Sequence, residues 1–111
     1  MSPPRAAPDI LAERMQVVLA IGEANAAIQK TQALMGGVQI DVMNVEEQLE
    51  ASGPTPELNA ALEAVYDRDD AAKASLAIAQ AKLDTLEEQL AELDRELAAA
   101  SPQASPKSSR Q

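Results

Sequence analysis

The sequence predicts an all-α fold: a two-helix antiparallel coiled-coil hairpin, helices over about 9–51 and 56–100, with disordered tails and a tendency to assemble into a helical bundle. Three observations predict it. Apolar residues recur at alternating steps of four and three along two long segments, and one turn sequence separates those segments. The two apolar seams also match each other when the chain is folded back on that turn.

The first element is a tail, residues 1–8. "MSPPRAAP" is proline-rich and has no apolar periodicity with which to fix itself. Asp9 is a helix-capping residue type, which predicts a first helix from about Ile10. Its seam runs Ile10, Arg14, Val17, Ile21, Ala24, Ile28, Thr31, Met35, Val38, Val42, Val45 and Leu49. In the turn at 52–55, Gly53 suits the left-handed conformation that closes a helix and Pro54 prevents continuation. Thr55 caps the next helix and Pro56 fits its first turn. The second seam is Leu58, Leu62, Val65, Asp69, Ala72, Leu76, Ala79, Leu83, Leu86, Leu90, Leu93 and Leu97. Ser101 and Pro102 mark its stop, and 101–111 form a second tail, "SPQASPKSSRQ", whose Ser-Pro steps read as an unstructured end.

An antiparallel pair must bring facing positions together at a constant sum of residue numbers. Here every seam pair adds to 107, from Leu49 with Leu58 out to Ile10 with Leu97. Sizes compensate across the seam, since Ala24 faces Leu83, Ile28 faces Ala79 and Met35 faces Ala72, so large meets small without voids. One flank pairs at a sum of 109 and sets Asp41 beside Arg68, with Glu13 beside Glu96 as a like-charge pair near the open end. The other pairs at 105 and sets Asn25 beside Gln80, Gln32 beside Lys73 and Gln39 beside Tyr66.

Gly36 and Gly37 interrupt this pattern as a possible helix end, because "VQIDV" after them alternates like a strand. A strand there has no partner strand in the chain, and the seam sum holds on both sides of the glycines. They are therefore expected inside a continuous helix, as a hinge or site of close approach beside Asp69. That aspartate is the one acid in either seam and faces Val38. It reads either as a register or specificity device held by partners, or as an unpartnered interruption tolerated in a wet seam.

Composition narrows the function classes. Tyr66 is the single aromatic residue, and histidine and cysteine are absent. The usual general base near neutral pH, thiolate ligands and disulfides are thereby excluded. The acids of "YDRDD" (Tyr66 to Asp70) lie within adjacent positions that a helix turns about 100° per residue, so they point in different directions and cannot close a metal cage. No catalytic, cofactor-binding or metal-binding residue is expected, and no small-molecule substrate. The net charge is −9, from 18 acids against 9 bases. No base occurs between Lys30 and Arg68, which argues against nucleic acid along the helices. No apolar run approaches the ~18 residues of a membrane span, and the N-terminus does not resemble a signal peptide, so a soluble cytoplasmic or virion location is expected.

What remains is protein binding. A stripe beside the first seam, Leu11, Met15, Val18, Gly22, Ala26, Ile40 and Met43, is a candidate oligomer face, expected to meet a second copy in a homodimer or higher assembly. Glu46, Glu47, Glu50, Glu57 and Glu63 surround the turn as a candidate acidic docking tip for another, basic protein. The function expected is that of a non-catalytic adaptor, scaffold or virion-type accessory subunit in a larger assembly.

The alternative rests on a likeness. The hairpin length, the acidic balance and the Tyr-x-x-x-Asp string at Tyr66 to Asp70 resemble the small helical-hairpin proteins of type VII secretion systems. That resemblance implies a secreted hairpin or secretion chaperone working as a heterodimer. The turn here reads "ASGP" where those proteins carry Trp-x-Gly, and Tyr66 lies early in the second helix. "EASGPTPE" likewise has no room for the β-hairpins of prefoldin-like chaperones, which are also paired-helical. The chain is assigned to neither family.

Overall fold

The computed structural model describes residues 5–100, so the expectations for 1–4 and 101–111 lie outside the described residues. Two helices account for almost all of it: α1, Ala7–Ser52, and α2, Pro56–Ala100. They pack as the antiparallel hairpin that the seams predict. Every seam position on both helices is buried or half-buried, and nearly every other helical position is exposed.

The helix ends follow from local chemistry. Gly53 has φ 77° and its N–H closes the last turn of α1 on the Leu49 carbonyl at 2.8 Å. The Thr55 hydroxyl accepts the Leu58 N–H at 3.1 Å, and the Thr55 carbonyl accepts from Asn59, so Thr55 caps α2 with Pro56 as its first residue. At the other end α1 begins at Ala7, earlier than the Ile10 start that capping by Asp9 implied. Pro8 explains the difference: its fixed φ and missing N–H suit a first helical turn, and the Ala6 carbonyl accepts from Asp9 and Ile10. Asp9 then acts within that turn, where its charge complements the helix dipole.

The chain divides into two compact units. One comprises the stretches up to Ala24 and from Lys82 onward. Its core is Ile10, Val17 and Leu93, packed with Ile21, Leu86, Leu90, Leu97 and Ala100. Arg14 occupies the seam but sends its guanidinium outward to Asp94, at 2.8 Å. Glu13 and Glu96 are not left as a bare like-charge pair, because Arg5, assigned to the tail by composition, bonds both carboxylates and reaches Glu96 at 2.9 Å. Its guanidinium is held more firmly protonated than usual by the hydrogen bonds to Glu13 first and then Glu96.

The other unit, Asn25–Ala81, contains the turn. Val38, Val42 and Val65 form its core with Leu62 against them. Thr31 lies in the seam, and its hydroxyl is satisfied by the Ala27 carbonyl of its own helix at 2.8 Å. Gly36 and Gly37 lie inside α1, which continues through them as a helix. Among the described residues nothing approaches them closely, since a Cβ built on either meets nothing within 4 Å. Gly36→Ala is accordingly expected to stabilise the fold by up to about 1 kcal/mol from helix propensity. Thermal unfolding of the variant followed by circular dichroism checks this, and a lowered midpoint would show a demand for glycine that the packing does not reveal.

Candidate functional site

Two features in the unit spanning Asn25–Ala81 stand out from a plain helical seam. The first is Asp69. Periodicity places it in the seam, and it is 7% exposed, the one buried charged side chain among the described residues. Burying a carboxylate costs several kcal/mol unless its oxygens find donors, on the order of the penalties measured for lone buried ions. Both oxygens find them. Oδ1 accepts from Gln39 Nε2 at 3.1 Å across the hairpin, and Oδ2 pairs with Lys73 Nζ at 2.8 Å one turn further along α2. Lys73 is held protonated above its ordinary range by the hydrogen bond to Asp69 and then by that charge.

This network redirects the flank. Gln39 turns inward to Asp69 in place of the expected Tyr66, and Lys73 turns to Asp69 in place of Gln32. The Asp41–Arg68 pair on the opposite flank forms as expected, at 3.0 Å. Tyr66, released from Gln39, donates its hydroxyl to Glu46 Oε2 at 2.9 Å. That bond, with smaller contributions from desolvation and the Glu46 charge, raises the Tyr66 pKa.

Because Tyr66 is the single aromatic residue, its phenolate absorbance titrates without interference. The midpoint is expected above the usual value of about 10, and Glu46→Ala is expected to return it toward that value. The sign of the linked stability follows: the folded state holds the proton more tightly, so the contribution is complete below the ordinary pKa. It is lost as pH rises through the raised one. Equal midpoints in the two proteins would mean that the Tyr66–Glu46 bond does not persist in solution.

The second feature is an open groove of about 690 Å³ along the Asp41–Arg68 side of this unit. Leu34, Val38 and Ile40 contribute apolar surface to it, Gly37, Ala71, Ala72 and Ser75 give it small-residue recesses, and the ion pair sits among its lining. Leu34 and Ile40 remain 57% and 61% exposed. Sequence reasoning placed Ile40 on the candidate oligomer face but missed Leu34. The signal was present, since a sum of 109 sets Leu34 opposite Ser75, a large apolar residue facing a small polar one on an open flank.

The other candidate positions are distributed as follows. Leu11, Met15, Val18 and Gly22 are exposed on α1 in the unit that contains Leu93, and Ala26, Ile40 and Met43 are exposed in the unit that contains the turn. Of the acidic tip, Glu46 is engaged by Tyr66. Glu47, Glu50, Glu57 and Glu63 are exposed and have no ion-pair partner among the described residues. Among those residues there is also no cluster of acids that could hold a metal ion, and no helix long and apolar enough to cross a membrane.

By fold, the chain is a two-helix antiparallel hairpin with a polar interruption in its seam and an apolar groove beside it. No described protein family, characterised protein or solved structure matches it.

Proposed function

We propose that this protein works without catalysis, by binding protein, as a self-associating structural or assembly subunit of the adaptor, scaffold or virion-accessory kind. The observation that carries the reading is the apolar surface that the hairpin leaves uncovered. Leu34, Ile40 and Ile78 are more than half exposed in one unit, as are Leu11, Met15 and Leu19 in the other. Single exposed leucines are ordinary, but several on one element mark a surface that another helix covers. A second copy is the simplest source of that helix.

Light scattering on the purified full chain at micromolar concentration tests the reading. The expected mass is a multiple of the 11.7 kDa chain. A single-chain mass across the accessible concentration range would exclude self-association. A stable one-to-one complex with a different hairpin, isolated from the native source, would favour a heterodimeric partner.

A further inference from the structure

We infer that the groove beside the Asp41–Arg68 ion pair is where a second copy of this chain docks, groove to groove about a two-fold axis. This rests on the self-association reading and assigns it a face.

A two-fold interface uses the same patch on both partners, so that patch must carry both projections and the recesses that receive them. This one does. Leu34 and Ile40 project, at 57% and 61% exposed, within a lining whose recesses are Gly37, Ala71 and Ser75. The space over Gly37 is open among the described residues, because an added Cβ there meets nothing within 4 Å.

Charge selects the occupant. The chain carries −9, so two copies repel each other over most orientations. In the groove lining the only charged residues are Asp41 and Arg68, and they neutralise one another at 3.0 Å. A basic partner would be drawn to exposed acids such as Glu47 and Glu50 and finds no net charge to select here. The lining that a second copy presents is likewise neutral. It brings the same acid and base, which a two-fold axis can set in complementary register.

The test uses a variant that favours the fold while filling the recess. Gly37→Gln introduces a better helix former into open space, so helicity by circular dichroism should equal or exceed that of the wild type. Sedimentation equilibrium of the full chain is expected to show a wild-type dimer and self-association at least about tenfold weaker in Gly37→Gln. Met15→Gln with Val18→Gln, on the other candidate face, should leave the dimer intact. A wild-type dimer that survives Gly37→Gln, or one broken only by the Met15 and Val18 changes, overturns the groove assignment while self-association stands. A monomeric wild type overturns both.

Discussion

Leu93→Ala is expected to lower the stability of the fold by about 3 kcal/mol, the scale found when a buried leucine is cut back to alanine. Leu93 is 2% exposed and joins Ile10 and Val17 in the core of its unit, with half-buried leucines and Ile21 closing around them. Truncation removes the transfer energy of its missing carbons and leaves a space that two continuous helices cannot easily collapse to fill. For a domain of this size the melting midpoint should fall by about 10–20 °C. Gln89→Ala supplies the contrast, since Gln89 is exposed and lies outside both seams and the uncovered apolar surface, and its loss should change stability by less than about 0.5 kcal/mol. Both midpoints are read from thermal unfolding by circular dichroism. Equal shifts in the two variants would mean that the seam does not carry the fold.

The second expected result concerns Asp69 and is a pair of opposite signs. Asp69→Leu should stabilise the hairpin by about 1–2 kcal/mol, whereas Lys73→Ala should destabilise it. The asymmetry comes from which partner is buried. Asp69 is in the seam and Lys73 is 58% exposed, so removing the carboxylate returns the lysine and the Gln39 amide to water at little cost. In its place a leucine side chain packs opposite Val38. Removing the lysine strands a buried carboxylate with Gln39 as its one remaining donor. Those two signs together would mean that Asp69 trades stability for register, since Lys73 lies on its own helix and Gln39 reaches Oδ1 from across the hairpin. The Asp69→Leu chain should consequently tolerate alternative registers, seen as broadened amide resonances despite a higher melting midpoint. A large loss of stability in Asp69→Leu would show that the network contributes more than the burial it displaces.

The seam, the turn and the continuity of α1 through Gly36 and Gly37 were legible in the sequence because each rests on a one-dimensional rule. Helical periodicity fixes which residues share a face, and the constant sum fixes which of them meet. Gly53, Pro54 and Thr55 each have one structural use at a helix boundary. Flank pairings were legible only in part. Asp41 with Arg68 came through because opposite charges at facing flank positions have no better alternative nearby. Gln39 and Lys73 went elsewhere because a buried carboxylate is a stronger claimant than a tyrosine or a glutamine at the surface. Arg5 was missed because a proline-rich stretch reads as tail. Yet Glu13 and Glu96 side by side were a sign that some cation had to sit near them.

By itself, then, the sequence determined the hairpin, its register and the seam position of Asp69, since these follow from spacing and residue type along the chain. The tertiary structure alone decided that both Asp69 oxygens are partnered, that Arg5 joins two glutamates, and that the space over Gly37 is open among the described residues. It also showed Leu34, Gly37 and Ile40 lining one groove with Ala71 and Ser75 of the opposite helix. The physical reason is that periodicity specifies directions around a helix axis. Whether a side chain reaches a donor, and whether a space is filled or left open, depends on distances between residues far apart in the chain.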